Sequence, residues 1–385
     1  YAETLARQGH QVDVFTLRPP GTERFSVKNG VNIHRIQPRM VDEKTKTQYF
    51  VRILKFFFRS AWHMWRHNTR VRYDLVHVHS VPDFEVFAAV MPRLTGAKII
   101  LDIHDIVPEF YASKFHVGKD SIIFRTLVLM ERLSAAFSDH VIISNDLWTK
   151  TLVARSVNAD KCTAILNYPD PAIFSRNENP KKGDAVVFLY PGSLNWHQGL
   201  DIAVRAFALI KDRVPNARFD IYGKGPAEET IEALSREFGL ENRLFLNQPV
   251  NVEQVAALMQ QADIGVIPKR NDSFGGDAFS TKSLEFMLSG TPVIISKTRI
   301  DDFYFNDSIV AFFEPDNPAS LADRMLQLAT DEQARQKLSE NAYQFVREMT
   351  WGIKESVYLD IVADLTGKAG NPVFAESARW EKETL

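Results

Sequence analysis

Gly275-Gly-Asp-Ala-Phe-Ser-Thr-Lys-Ser-Leu-Glu-Phe-Met-Leu-Ser-Gly-Thr-Pro-Val-Ile-Ile295 runs a glycine loop into a short helix, closes it on Gly290 and enters a β-branched strand. Ser280 or Thr281 stands where an N-cap belongs, so the backbone N–H groups and the positive dipole end face the space above the helix. That arrangement suits a phosphate. Lys282 places a cation in the first turn, against the dipole, and a bound anion accounts for it better than helix stability does. Glu285 lies too far from either cap to close a capping box. It reads either as a solvated partner of Lys282 at i, i+3 or as a carboxylate accepting hydrogen bonds from a ribose diol.

The same loop, helix and strand grammar extends outward from this stretch. Alternating or β-branched runs at 186–190, 218–222, 243–246, 264–267, 292–295 and 309–313 are separated by helical patterns such as Gly199 to Lys211. A first series at 11–17, 31–36, 74–79, 98–104 and 140–144 repeats the pattern. Short strands alternating with helices predict crossover units and parallel sheets. Between the two series, Asn167 to Asp184 is rich in Pro, Asn, Lys and Gly, with Tyr168-Pro169 and Asp170-Pro171 breaking regular structure. We therefore expect an α/β protein with an N-terminal domain over 1–170 and a second over 171–350. A closing helix and tail over 351–385 is expected to pack back toward the first domain, with the part after Gly367 loosely held. Ligands of open parallel sheets lie beyond the carboxyl ends of the strands, so two such sheets facing one another predict an interdomain cleft.

Bulk properties agree and exclude several classes. At 385 residues the chain exceeds one ordinary core. Hydrophobic residues at 45% and charged residues at 24% are globular proportions, and a net charge of -2 is unsuited to a broadly basic nucleic-acid binder. The single cysteine, Cys162, can form neither an internal disulfide nor a thiolate metal site, and it reads as a small core residue in a reducing compartment. No run of about 18 apolar residues suggests a membrane-spanning helix. Tyr1 to His10 reads as the tail of an amphipathic helix closing on Gly9, which raises the expectation of a missing strand and loop before it.

The stretch quoted above resembles the signature of the large bacterial group 1 family of retaining glycosyltransferases with the GT-B fold, a fold of two Rossmann-like domains. In that family two acidic residues with seven between them precede a Gly-x-Pro-Val-Ile strand entry. Asp277, Glu285 and Gly290-Thr-Pro-Val-Ile294 reproduce the spacing, with Asp in place of the usual first Glu. The resemblance implies that Glu285 contacts the donor ribose. It also implies that Asp277, or backbone groups near Phe279, Ser280 and Thr281, hold the sugar and diphosphate. Tyr190 to Asp201 resembles the family's first donor-domain loop, with Gly192 and Gly199 in place. Ser193 and Gln198 stand where many members carry basic residues. Charge neutralisation then falls to Lys282, with Lys269 or Arg270 as helpers. Gly223-Lys-Gly-Pro226 resembles the loop lining the nucleotide pocket, with Lys224 a candidate for phosphate. Asn247-Gln-Pro249-Val250 resembles the loop whose backbone reads the base.

In the first half, Leu101-Asp-Ile-His104-Asp105 follows the family's placement of a histidine that faces donor sugar and acceptor. Asp105 and Glu109 are candidates to orient it, and His79 is a second acceptor-side candidate. The resemblance implies transfer from a nucleoside-diphosphate sugar to a saccharide or lipid-linked saccharide acceptor, with retention and without a metal or other cofactor. No metal cluster is evident in the sequence. A catalytically silent subunit of the same fold, binding a glycan or a partner protein, is the alternative raised by Ser193 and Gln198.

One local feature departs from the near-neutral average. Between Asp42 and Arg72 there are eight basic and two acidic residues. Phe50, Leu54, Phe57, Ala61 and Trp65 recur at helical spacing, while Arg52, Lys55, Arg59 and Arg66 occupy other faces. The stretch reads either as an aromatic core helix with a basic side or as an interfacial helix docking on an anionic leaflet. The second reading, over 50–72, predicts a cytoplasmic protein peripheral on the inner face of the membrane.

Overall fold

The computed structural model describes residues 1–40, 46–115, 117–177, 183–272 and 274–367. They form two compact units. Unit 1 comprises Tyr1–Pro108, Val117–Ile165 and the chain from Glu355 onward, whereas unit 2 comprises Glu109–His116 and Leu166–Lys354. The tail after Gly367 and part of the Asn167 to Asp184 stretch lie outside the described residues.

Unit 1 carries two sheets. The first contains β1 (Val12–Arg18), β2 (Phe25–Lys28) and β3 (Val31–Pro38) in the order β1-β3-β2. β1 pairs with β3 in parallel, but β2 pairs with β3 antiparallel. This departs from the all-parallel expectation, and its cause is local. Asn29 and Gly30 both adopt positive φ (49° and 79°), the backbone of a two-residue hairpin turn for which Asn-Gly is well suited. The second sheet joins β4 (Leu75–Ser80), β5 (Lys98–Ile103), β6 (His140–Ile143) and β7 (Cys162–Ala164) in parallel. Cys162 is only partly buried on β7, a strand of three residues and too short for periodicity to mark. The closing helix Trp351–Thr366 buries Tyr358, Ile361 and Val362, and Tyr358 reaches β4 by a hydrogen bond to His77.

Helix Lys46–Asn68 turns a different face inward from the one its spacing suggests. Ser60, Met64 and Asn68 are buried, and the ring of Phe57 meets Phe84 at 6.0 Å. Phe50 and Trp65 of the expected core stripe are exposed, as are Val51, Phe58 and Trp62. Val51, Lys55, Phe58, Trp62 and Trp65 follow one another at steps of three and four, so one outward face carries large apolar groups beside a cation.

Unit 2 holds one six-stranded parallel sheet of β8 (Val186–Pro191), β9 (Ala217–Tyr222), β10 (Leu244–Asn247), β11 (Ile264–Ile267), β12 (Val293–Ser296) and β13 (Ala311–Phe313). Its order is β10-β9-β8-β11-β12-β13. The winding reverses between β8 and β11, the switch point at which such sheets open a crevice for ligands. Phe188, Tyr190, Phe207 and Phe219 are fully buried at the centre, where burial of each large side chain contributes roughly 1.5–3 kcal/mol. Among the described residues no helix is long and apolar enough to cross a membrane.

A buried ion pair ties the loop after β11 to the helix after β12. The Lys269 ammonium lies 2.7 Å from the Asp301 carboxylate and donates to the Ala278 carbonyl at 2.7 Å. Asp301 also accepts from the Thr298 hydroxyl at 2.5 Å. Asp301→Ala would leave the lysine charge uncompensated. We expect a loss of about 3–5 kcal/mol, the scale for breaking a buried pair from one side, read as a lowered midpoint in chemical denaturation followed by tryptophan fluorescence.

Candidate functional site

In unit 2 the loops that follow the central strands are fastened to one another through backbone groups. Gly192 donates to the Tyr222 carbonyl (2.8 Å), Leu194 to Lys224 (3.1 Å), Gly223 to Asn247 (3.0 Å) and Arg270 to His197 (2.9 Å). Such contacts demand glycine at the closest approaches. A Cβ on Gly223 would lie 1.8 Å from the Gly192 carbonyl oxygen, and one on Gly199 would lie 2.0 Å from that of Pro268. Gly199 also has φ +66°. These two glycines therefore lock the loops after β8, β9 and β11 together at the switch point.

The helix of the signature stretch, Thr281–Leu288, begins beside this assembly. Ser280 is its N-cap residue, but no side chain caps it, contrary to the capping expectation. The Ser280 hydroxyl is buried with no hydrogen-bond partner. The Lys282 ammonium sits 5.3 Å from the Tyr190 ring centroid and against Gly192, where an added Cβ would come within 3.2 Å of Nζ. Among the described residues no carboxylate forms an ion pair with it, although Glu285 exerts a longer-range attraction. Burial, reinforced by the Lys269 charge, pushes its pKa down to about 8. Burial also raises Glu285, opposed by Lys282 and by the Thr281 hydroxyl. An uncapped helix start, an unpartnered hydroxyl and a cation lacking a close counter-charge are an arrangement suited to an anion.

Two other cations near the site are already engaged. Lys269 is held by Asp301. Arg270 forms a double hydrogen bond to Asp201 (2.7 and 2.8 Å), pairs with Asp316 and stacks on Trp196 at 3.6 Å. Both are thus held by carboxylates of unit 2. Gln198 takes part in structure, its Oε1 lying 3.1 Å from the Tyr190 hydroxyl, while the Ser193 carbonyl lies 2.9 Å from the same group. Asp277 pairs with Arg299 at 2.7 Å. Phe279 packs against Tyr304 and Phe305, and Lys224 and Pro249 are exposed on their loops.

Unit 1 assembles a cluster around Asp102, a residue to which sequence pattern alone assigns no role. His77 and His79 alternate on β4, Asp102 lies on β5, and His79 is the register partner of Asp102. One carboxylate oxygen of Asp102 lies 3.1 Å from His79 Nδ1, 3.3 Å from His77 Nε2 and 3.6 Å from His104 Nε2. His79 Nδ1 and His104 Nε2 are 2.9 Å apart. Burial opposes ionisation of Asp102, yet hydrogen bonds from His77 and His79 hold its pKa well below the usual carboxylate range. Burial pushes His77 down to about 4. His79 is half exposed, and His104 lies at the carboxyl end of β5 with its carbonyl held by Ser144 (2.8 Å). Asp102, rather than Asp105, is thus the carboxylate against this imidazole; Asp105 has its pKa raised by burial, with His104 opposing. Glu109 is buried in the first turn of helix Val107–Phe115 and belongs to unit 2. The period-two patterns His77-Val-His79 and Asp102-Ile-His104 were the available signal, but their convergence depends on strand register.

Comparison with known proteins gives the chain a class. Residues 172–345 match the family described as "Glycosyl transferases group 1", and residues 1–167 match the "Glycosyl transferase 4-like domain". The chain is 25% identical over 367 residues to an uncharacterised glycosyltransferase of Methanocaldococcus jannaschii, covering 90% of this chain and 87% of that protein. It is 23% identical over 407 residues to a D-inositol 3-phosphate glycosyltransferase of Corynebacterium efficiens, covering 98% and 92%. Among solved structures, sucrose-phosphate synthase of Thermosynechococcus elongatus superposes with a TM-score of 0.75 at 18% identity, covering 94% of this chain and 92% of that one. HepE of Anabaena, in complex with UDP and glucose, gives 0.67 at 14% identity, covering 87% of each chain. The fold is GT-B and the protein is a sugar-transferring enzyme. The chain belongs to the group 1 glycosyltransferases, with a glycosyltransferase 4-like N-terminal half.

The perturbed lysine makes an anion-binding role for this arrangement testable by pH. The protonated amine is the form that attracts an anion; it prevails below about pH 8 and is lost above it. Pyrophosphate affinity, measured by calorimetry, should therefore fall as pH rises from 7 through 9. A bound anion holds the proton and moves that fall upward. Lys282→Met should bind weakly and with a flat pH profile over this range.

Proposed function

We propose that the protein transfers a sugar from a nucleoside diphosphate donor to a hydroxyl of a saccharide or lipid-linked saccharide, with retention, in the making of cell-surface polysaccharide. The observation that carries the donor assignment is the Lys282 ammonium beside an uncapped helix start, without a close carboxylate partner. In this reading the diphosphate lies over the start of helix Thr281–Leu288, against Gly192 and Ser193. Glu285 accepts hydrogen bonds from the ribose, and the loops at Gly223-Lys224 and Pro249 border the nucleotide. Asp277 and the backbone around Phe279 orient the sugar. His104, steadied with His79 by Asp102, positions the reacting groups in unit 1.

Two routes to retention can be compared. A double displacement needs a carboxylate nucleophile placed against the anomeric carbon, and the described residues of this site provide no evident candidate for it. We favour front-side departure and attack: the bond from the anomeric carbon to the diphosphate oxygen breaks as the acceptor oxygen bonds to that carbon. The departing oxygen takes the acceptor proton. The protein's work is then to hold reactants in register and stabilise charge growing on the diphosphate, without a metal ion. Lys282→Ala and Glu285→Ala should each lose at least ~100-fold in turnover, the scale of removing one preorganised donor. The assay is a mass-spectrometric screen of UDP-, GDP- and ADP-sugars. Near-normal turnover in either variant rejects its assigned role, while failure of the intact protein to bind any nucleoside diphosphate favours the silent glycan- or partner-binding subunit.

A lipid-linked acceptor also accounts for helix Lys46–Asn68. Phe58, Trp62 and Trp65 are exposed there, Lys55 lies between Val51 and Phe58 on the same face, and Arg52, Arg59 and Arg66 recur every seven residues alongside. Aromatic groups that enter the headgroup boundary, with basic residues contributing about 1 kcal/mol each near an anionic surface, suit a peripheral position on the inner leaflet. The protein should co-sediment with phosphatidylserine-containing vesicles but not with phosphatidylcholine vesicles. Replacing Arg52, Lys55 and Arg59 with Glu should abolish that binding, and an unchanged sedimented fraction rejects the proposal.

A further inference from the structure

A second group of histidines lies in unit 1 away from the Asp102 cluster, and the proposed transfer reaction makes no use of it. Asp13 and Phe15 alternate on β1, and Phe15 is the register partner of His34 on β3. Helix Lys46–Asn68 carries His63 and His67 one turn apart. All three imidazoles surround the Phe15 ring, at centroid distances of 5.1 Å for His34, 5.5 Å for His67 and 6.1 Å for His63. Asp13, His34 and His67 each bring one ligand atom within 4.8 Å of the others. They line a cavity of about 260 Å³ with Tyr73, whose buried hydroxyl has no hydrogen-bond partner.

Ring orientation distinguishes this group from the cluster on Asp102. A metal–imidazole bond lies in the plane of the ring, so two rings can share an ion only where their planes cross at it. His77 and His79 lie at 14° to one another and His79 and His104 at 26°, a near-parallel column suited to hydrogen bonds along one carboxylate. His34 and His67 cross at 76° with centroids 4.9 Å apart, which allows their lone pairs to converge. The Asp13 to His34 contact is 2.8 Å. A zinc-like ion with bonds of about 2.0–2.2 Å separates its tetrahedral ligands by roughly 3.3–3.6 Å, so a small rotation of the Asp13 carboxylate suffices.

We propose that Asp13, His34 and His67 form a binding site for one divalent transition-metal ion, with His63 adjacent and Tyr73 facing the same cavity. Two imidazoles and one carboxylate match the donor preference of Zn²⁺ and Ni²⁺ rather than that of Mg²⁺ or Ca²⁺, which take oxygen. Arg59, Arg66 and Arg70 lie near these histidines and weaken the attraction for any cation, which further favours ions that gain most from nitrogen ligands. Bound there, the ion ties the C-terminal part of helix Lys46–Asn68 to β1 and β3.

The test is calorimetric titration of tag-free full chain with Ni²⁺ and Zn²⁺, accompanied by Co²⁺ absorption. One ion per chain and a Co²⁺ spectrum with imidazole ligation are expected, with no heat from Mg²⁺. His34→Ala and His67→Gln should each weaken binding by ~100-fold or more, since loss of even an outer-shell partner costs 10–100-fold. His79→Ala should leave it unchanged. Circular dichroism confirms that each variant is folded, and His67→Gln alters a helix residue without emptying the core. Absence of stoichiometric binding overturns the proposal, as does binding that survives both His34→Ala and His67→Gln or is lost in His79→Ala. Nucleoside diphosphate binding by the same samples reports separately on the donor site.

Discussion

The Lys269 ammonium lies inside unit 2 with Asp301 at 2.7 Å, and a charge at that depth is tolerable only because its partner is beside it. The pair does more than neutralise itself. Through the Ala278 carbonyl it fixes the residues immediately before helix Thr281–Leu288, and through the Thr298 hydroxyl it fixes the start of the following helix. The direction in which the signature helix presents its first turn therefore rests on this contact. It also bears on the proposed donor site: with Lys269 in the pair and Arg270 on Asp201 and Asp316, Lys282 is the cation beside Gly192 that has no ion-pair partner among the described residues.

Unit 1 uses the opposite arrangement, in which one buried anion organises several groups that can carry positive charge. Asp102 holds His77 and His79 directly and stands 3.6 Å from His104, while Tyr358 of the closing helix bonds to the far side of His77. Strand geometry imposes the pattern. Side chains two apart on a strand share a face, and parallel register brings His79 beside Asp102. The histidine just past β5 thus lies against groups of the sheet itself, His79 at 2.9 Å and Asp102 at 3.6 Å.

How much of this is legible in the sequence follows from which interactions are local. Strand positions, the parallel character of the second domain's sheet and the signature helix can be read because period, turn residues and β-branched runs act over a few residues. The β2–β3 hairpin is marked by Asn29-Gly30 but escapes a search for strand periodicity, because β2 is only four residues long and largely exposed. Asp102 looks like an ordinary member of its strand, since its role appears only when β4 lies beside β5. The same applies to Lys269 and Arg270, which look available until their partners at 301, 201 and 316 are in place. Helix Lys46–Asn68 misleads in another way. Its hydrophobic residues are too numerous for a single face, so periodicity alone cannot choose the buried one.

Ser193 and Gln198 bring no charge to the loop after β8, so in the proposed reaction the charge of a diphosphate falls chiefly to a helix start and one lysine. A helix start contributes roughly 0.3–1 kcal/mol toward an anion at an exposed position and up to about 2 kcal/mol where partly buried. A full charge a few ångströms away in a medium of reduced dielectric contributes several times more before desolvation is counted. In the proposed reaction Lys282 therefore supplies most of the attraction and the helix dipole the smaller share. The same desolvation that lowers the lysine pKa makes its charge more effective toward a diphosphate, because little water remains to screen it. On this proposal a single cation serves to the extent that water is kept from it, and Tyr190 and Gly192 packed against its side chain limit its exposure.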